Sequence, residues 1–319
     1  MRAAHVTEIG TGPQPVHLTD PEPGSGQTLI AVRAASLNPV EIRVAAGRMP
    51  GADPPYVPGL EGVGTVISSP TLAPGTRVRF ENDLPGFGKD GALREIAVAE
   101  PDAIFVLPDA VDDNTAAAAG VAGVTSELAY RLAGMEPDHR VAVLGATGGV
   151  GQMAVQLASA RGASVVVAVG RDRHGLEWLE AHGATSSVNL EGSADLSGAL
   201  TEAAGGPIDV VVDVLWGSPA MAAIEALADH GRLINVGNNA GTDIELPLQA
   251  MRKARTGVLG MSSGWTPLTE KMDAFGSVLD HIAAGRIEVA HEVVPLDEVA
   301  AAWERQEKFP HTKLVVSLA

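Results

Sequence analysis

Four glycines in the stretch Gly145-Ala146-Thr147-Gly148-Gly149-Val150-Gly151 separate an apolar run, Val141 to Leu144, from a segment in which Val150, Met153, Ala154, Leu157 and Ala158 share one helical face. A strand, a glycine turn and a helix in that order suit a phosphate. Glycine adds no Cβ, so bare backbone can approach closely, and the first N–H groups of a helix are unpaired and point at the ligand. The chemistry expected is therefore dinucleotide binding. The spacing from Gly145 is G-x-x-G-x-x-G, one residue longer than G-x-G-x-x-G, although Gly149, Gly151 and Ala154 fit G-x-G-x-x-A. A glycine-rich turn without ligand is the alternative.

An NAD site places an acidic residue about twenty residues beyond the glycines, at the end of the second strand, to hold the ribose hydroxyls. Here that position is Gly170, followed by Arg171. A guanidinium beside a small residue makes charge-assisted hydrogen bonds to a 2′-phosphate, which points to NADPH. A strand ending one or two residues later would bring Asp172 to the ribose and reverse that preference, and Arg171 and Arg173 also suit a solvated helix start.

Reduction of a plain carbonyl needs a metal ion or a positioned acid to polarise the oxygen. The nine histidines, at 5, 17, 139, 174, 182, 230, 281, 291 and 311, form no H-x-H or H-E-x-x-H pair, and cysteine is absent. No metal site is expected. That favours an acceptor whose charge is already delocalised: a quinone, or a C=C conjugated to a carbonyl. With 22 Lys and Arg against 39 Asp and Glu, the net charge of −17 repels phosphate backbones and anionic membrane surfaces, so neither nucleic acid nor membrane is an expected partner. The absence of cysteine is compatible with a reducing compartment. No run of about eighteen apolar residues occurs, and residues 1–10 do not read as a leader, so a soluble, cytoplasmic protein is expected.

The elements that must position these residues change character along the chain. To about residue 110, short β-rich runs are punctuated by Gly and Pro, as in "QTLIAVRAA", "GVGTVIS", "TRVRF", "LREIAVAE" and "AIFVLP", predicting a small antiparallel barrel or sandwich-like domain. From about 115, Ala-rich helical segments alternate with "VAVLG", "SVVVAVG", "SSVNL", "IDVVVDVL", "GRLINVG" and "TGVLGM", which predicts a doubly wound parallel sheet of six strands. After about 265 come a helix, a strand, a helix and a last strand, expected to close back onto the first domain. The expected division is thus a β domain over 1–118 and 266–319, interrupted by an α/β domain over 119–265.

Several segments carry a family resemblance. Ser36-Leu37-Asn38-Pro39-Val40-Glu41 resembles an S-x-N-P-x-D signature, "PYVPGLEGVGTV" resembles P-x-x-x-G-x-E-x-x-G-x-V, "GATGGVGQMAVQLA" resembles a nucleotide loop, and "HTKLVVSL" resembles a terminal G-K-x-V-L strand. Together they resemble the zinc-free quinone oxidoreductase branch of the medium-chain dehydrogenase/reductase superfamily, over essentially the whole length. In zinc-bearing relatives a Cys lies near the position of Asn38, and a His stands where Leu60 precedes Glu61 here. Both ligands are missing.

The resemblance implies a GroES-like β domain with an inserted Rossmann domain, NADPH in the cleft between them, and a homodimer. It assigns Thr147, Gly148, Gly149 and Val150 to the pyrophosphate, and Gly170 and Arg171 to the adenosine phosphate. Val236, Gly237, Asn238 and Asn239, with Gly260, Met261 and Ser262, are assigned to the nicotinamide side. Asn38 matches an Asn whose amide orients nicotinamide or substrate; capping the turn before Pro39 is its other reading. Met49, Tyr56, Leu60 and Trp265 are candidate pocket walls, and Tyr56 is either a proton donor or packed against its prolines. Met49 departs from the family pattern R-x-G-x-Y-P by replacing the Tyr. The function expected is NADPH-dependent reduction of a small quinone or enone, with an enoyl or enone reductase of a biosynthetic pathway and an NADPH-sensing binding protein as alternatives.

Overall fold

The computed structural model describes residues 1–51, 53–81, 90–192 and 195–318. The chain opens with β1 (Arg2–His5), β2 (Gln14–His17), β3 (Thr28–Ser36), helix α1 (Pro39–Ala45), β4 (Glu61–Ser68), β5 (Arg77–Glu81), β6 (Ile96–Ala99) and β7 (Ile104–Val106). Helix α2 (Asp113–Ala133) leads into β8 (Arg140–Leu144), α3 (Gly149–Ala160), β9 (Val165–Gly170), α4 (Arg173–Ala181), β10 (Ser186–Asn189) and α5 (Leu196–Ala203). Next come β11 (Ile208–Asp213), α6 (Gly217–Glu225), β12 (Leu227–Asn235), α7 (Leu248–Ala254), β13 (Gly257–Gly260) and α8 (Leu268–Ala283). The last elements are β14 (His291–Pro295), α9 (Val299–Glu307) and β15 (Lys313–Ser317).

These elements form two units, Met1–Val121 with Val289–Ala319, and Ala122–Glu288. Among the described residues the main sheet of the first unit has seven strands, in the order β14-β15-β3-β4-β5-β7 with β6 also on β3. Here β15 returns antiparallel to β3, with Val315 opposite Ser36. The last strand therefore completes a sheet begun near the start of the chain. Along β3 the buried positions alternate at first, as a strand with one covered face requires. Ile30, Val32, Phe80, Leu314 and Val316 pack with Trp303 of α9 to make the core.

In the second unit the described strands are six and parallel, in the order β10-β9-β8-β11-β12-β13. Their apolar runs are continuous because helices cover both faces, and Leu144, Val169, Val211 and Leu233 lie in the core. This is the doubly wound order, whose switch point lies between β8 and β11, beyond the carboxyl ends of the strands. Helix α8, expected with the β-rich domain, belongs instead to this second unit. It buries Ala274, Phe275, Val278 and Leu279, and its Asp273 pairs with Arg131 of α2 at 2.5 Å. The unit extends to Glu288, whose backbone exchanges two hydrogen bonds with Gln156 of α3, at 2.8 and 2.9 Å.

Between β8 and α3 the glycine turn is built tightly. Gly145 has φ of +78°, and the N–H groups of Gly145 and Ala146 both donate to the Val169 carbonyl at 2.9 Å. A Cβ on Gly151 would overlap the Gly145 carbonyl and the Ala146 backbone. Gly151→Ala should therefore destabilise the protein by on the order of 2 kcal/mol, seen as a fall in Tm of roughly 5 °C. An unchanged Tm would show that the turn relaxes without loss.

Candidate active site

In the first unit the site grows out of the end of β3. The Leu37 N–H donates to the Leu314 carbonyl at 2.9 Å, which brings β15 alongside and sets Lys313 next to Asn38. The Lys313 Nζ donates to Asn38 Oδ1 at 2.5 Å, with the lysine only 8 % exposed. The amide nitrogen of Asn38 reaches the Ser36 carbonyl and hydroxyl at only 3.4 and 3.5 Å. Pro39 then starts α1 where no N–H is needed. Glu41, three residues after Asn38, accepts from the Asn38 N–H at 3.0 Å and from the Leu60 N–H at 2.5 Å. One carboxylate thus fixes both the helix start and the loop that carries Leu60.

The residue after Leu60 extends the network. Antiparallel register puts Glu61 of β4 opposite Glu81 of β5, and like charges directly opposed repel. Arg79 lies between them, with Nε and Nη2 at 2.9 and 2.6 Å from Glu61 Oε2, and Nη2 at 2.9 Å from Glu81 Oε2. The other Glu61 oxygen accepts from the Val121 N–H at 2.8 Å and the Ser36 hydroxyl at 3.2 Å. Two cations therefore face three buried carboxylates. Burial pushes the Glu41 carboxyl up to about 7, against the opposing pull of the Asn38 and Leu60 N–H donors and of Lys313. Burial lowers the Lys313 ammonium, opposed by Glu61 and Glu41.

Tyr56 is 4 % exposed, and its hydroxyl has no hydrogen-bond partner among the described residues. Burial, and secondarily Glu41, push that phenol up to about 12. Its backbone is held by Val6 through bonds of 2.9 and 3.0 Å. Asn38 and Leu60 are thus both held by Glu41, Tyr56 lies near enough to feel its charge, and Lys313 reaches Asn38. Met49, by contrast, is 38 % exposed beyond α1.

In the second unit Thr147, Gly148, Gly149 and Val150 lie at the N-terminus of α3. A Cβ on Gly148 would meet nothing nearer than the Gly145 carbonyl at 3.6 Å, and one on Gly149 nothing nearer than Ala122 at 4.0 Å. That bare, open backbone fits a dinucleotide pyrophosphate. Strand β9 ends at Gly170, with Arg171 exposed beyond it. The Asp172 carboxylate caps α4, accepting from the Gly175 N–H at 3.0 Å. Arg171 and Asp172 thus both stand at the strand end, Asp172 with one oxygen on the helix cap.

Loops after β11, β12 and β13 are tied together by Asp213 and Asn235. Buried Asp213 accepts from the Leu215 and Trp216 N–H groups at 2.9 and 3.0 Å and from Asn235 Nδ2 at 2.8 Å. The same Asn235 amide donates to the Gly237 carbonyl at 2.7 Å, and the Met261 N–H donates to the Asn235 carbonyl at 2.9 Å. The segments Val236 to Asn239 and Gly260 to Ser262 therefore leave the sheet from adjacent strand ends, Asn235 pairing with Gly260, and the Asn239 N–H donates to the Val214 carbonyl at 3.3 Å. Trp265 is 81 % exposed in the turn that follows. Sequence reasoning missed Asp213, Asn235, Glu41 and Lys313. Each is a polar residue in or beside an apolar run, which was the available signal.

Among the described residues no group of three or more His, Cys, Asp or Glu side chains could hold a metal ion. The place beside Asn38 is taken by an ammonium, so the donor set does not fit zinc. No described helix is long and apolar enough to cross a membrane.

The family described as alcohol dehydrogenase GroES-like domain matches residues 24–109, and that described as zinc-binding dehydrogenase matches residues 149–275. A quinone oxidoreductase of Rattus norvegicus is 29 % identical over 95 % of this chain and 93 % of its own. A mycocerosic acid synthase-like polyketide synthase of Mycolicibacterium smegmatis is 29 % identical over 93 % of this chain, which spans only 14 % of that protein's length. A cobalt- and zinc-bound thermostable alcohol dehydrogenase from Pyrobaculum aerophilum superposes with a TM-score of 0.85 at 27 % identity, over 99 % of each chain.

The buried carboxyl gives a pH test. The folded protein holds the Glu41 proton up to about 7, whereas an unfolded glutamate releases it near about 4.3, so unfolding releases a proton in between. The stability this proton confers is complete below about pH 4 and is lost as pH rises through about 7. Glu41→Gln removes the titration. The Tm of the variant relative to the parent should shift in the variant's favour by several degrees between about pH 5 and about pH 8, and a constant difference would mean that Glu41 is ionised throughout.

Proposed function

Because the chain belongs to the medium-chain dehydrogenase/reductase superfamily, in its quinone oxidoreductase-like branch, we propose that it is an NADPH-dependent, metal-free reductase of quinones or conjugated enones. The observation that carries this reading is the bare backbone of Gly148 and Gly149 at the N-terminus of α3, in a doubly wound sheet. The parallel-sheet unit is the nucleotide domain, and the β-rich unit handles the acceptor.

Thr147 to Val150 hold the pyrophosphate, and Gly170 with Arg171 receives the 2′-phosphate. Val236 to Asn239 and Gly260 to Ser262 flank the nicotinamide. NADPH supplies a hydride, the two electrons and one hydrogen that the acceptor gains. Charge then collects on the acceptor oxygen, and the Asn38 Nδ2–H donates to it, well placed because its bonds to Ser36 are long. Water supplies the proton that completes the hydroquinone or the saturated ketone. The Tyr56 phenol keeps its own proton near neutral pH. Met49, Leu60 and Trp265 are proposed walls.

A conjugated alkene as acceptor is the second reading, favoured by the similarity to a segment of a polyketide synthase. The exposed edge of β13, with Leu259 partly bare, supports a homodimer, and the setting proposed is the cytoplasm.

Arg171→Ala should raise KM for NADPH by roughly tenfold or more while leaving KM for NADH within about twofold, measured with one good acceptor. Equal effects on both would remove the 2′-phosphate assignment. Loss of NADPH absorbance should be followed with quinones, enones and enoyl thioesters. Turnover with the first two supports the reading; tight NADPH binding without turnover of any class would make the protein a sensor.

A further inference from the structure

We propose that Lys313 is a positioning residue for the reduction, a fixed organic cation that polarises and orients the Asn38 amide where zinc-bearing relatives place a metal ligand. The inference rests on the reading that Asn38 donates to the acceptor oxygen. Three observations support it.

First, the contact is specific and enclosed. The lysine is buried, and its ammonium donates to Asn38 Oδ1 at 2.5 Å. An amide has one carbonyl oxygen and one NH2 group at opposite ends of a conjugated system, so a cation on the oxygen withdraws electron density from the nitrogen and strengthens its N–H donors. It also settles which end of the amide faces Lys313, since an ammonium has donors alone. The NH2 is thereby turned away from the lysine.

Second, the arrangement costs more than packing needs. An ammonium taken out of water is expensive, and an apolar residue would fill a strand position among Leu314, Val315 and Val316 more cheaply. The nearby Glu61 and Glu41 favour its charge at a distance, but their own hydrogen bonds are already made elsewhere. Glu61 already has Arg79, at 2.6 Å, and Glu41 is satisfied by two backbone N–H groups. Among the described residues the hydrogen bond that the ammonium makes is to the amide.

Third, the amide is held closely at its oxygen and only weakly at its nitrogen. Its bonds from Nδ2 to Ser36 are at the limit of hydrogen-bond length, leaving donor capacity for a ligand oxygen.

The test compares Asn38→Ala, Lys313→Arg, Lys313→Gln and the charge-neutral double variant Lys313→Met/Glu41→Gln. Stopped-flow hydride transfer from NADPH is read with substituted 1,4-benzoquinones and chalcones graded in electron demand. NADPH affinity is measured separately by fluorescence titration. The double variant should slow hydride transfer by roughly 10- to 100-fold with NADPH affinity within about twofold, and lose most with the least electrophilic acceptors. Lys313→Arg should recover most of the rate. Adding Asn38→Ala to the double variant should cost little more, because both changes remove one interaction.

If Asn38→Ala is slow but the double variant transfers hydride at the parent rate, Lys313 is structural and the inference fails. If Asn38→Ala itself matches the parent, the reading of Asn38 fails first, whatever Lys313 does. Should the double variant not fold, Lys313→Gln keeps an uncharged donor at the site and decides the matter. A parent rate there overturns the inference, and a slowed rate with unchanged NADPH affinity upholds it.

Discussion

Buried charge that must be matched is the constraint on which the β-rich unit depends. Glu41, Glu61 and Glu81 lie inside with Arg79 and Lys313, and each acid is met by a cation, a backbone N–H group or both. Removing one member of such a set leaves an uncompensated ion, which typically costs about 3–5 kcal/mol, whereas the intact set adds little net stability. The network is therefore better understood as a geometric device. It fixes the start of α1, the loop at Leu60, the pairing of β4 with β5 and the return of β15, and these together define the surroundings of Asn38.

The parallel-sheet unit meets its own constraint differently. The central runs of β8, β9 and β11 are apolar, and Asp213 appears where β11 finishes. Asp213 and Asn235 show how this is used: one buried carboxylate and one amide tie the loops after three adjacent strands into a single framework. The glycine turn after β8 relies on backbone shape and the loops after β11, β12 and β13 on side-chain hydrogen bonds. A single conformation results in both.

Much of this was legible in the sequence, for identifiable reasons. The six parallel strands were visible because continuous apolar runs alternate with helical periodicity, and β3, β4 and β5 because they are bounded by Gly and Pro. Strands β1 and β2 were not. They are four residues each, and Gln-Pro-Val-His becomes a strand through its pairing with Arg2–His5. Helix α7 has no buried residue and hence no apolar stripe to read. At the site, Asn38, Leu60 and Tyr56 fall together, while Met49 and Trp265 are exposed, because positions in a matching segment do not say which way a side chain faces. Glu41 was not legible as a site residue because its bond to Leu60 arises only in three dimensions.

The Asn38–Lys313 contact spans 275 positions of sequence, with the whole of the second unit between its partners. Translation delivers these partners 275 residues apart. While the ribosome makes residues 122–288, the nascent β-rich sheet lacks its returning strand, the flank of β3 is open, and the Glu41 carboxylate remains hydrated. The parallel-sheet unit has its strands consecutive in the chain and can condense as it emerges. The polar core of the β-rich unit can dehydrate only once β15 has been made. A chain stopped before β15 consequently carries an uncovered sheet edge, the kind of surface that chaperones and proteases recognise. Lys313 thus makes synthesis through β15 a precondition for closing the β-rich unit.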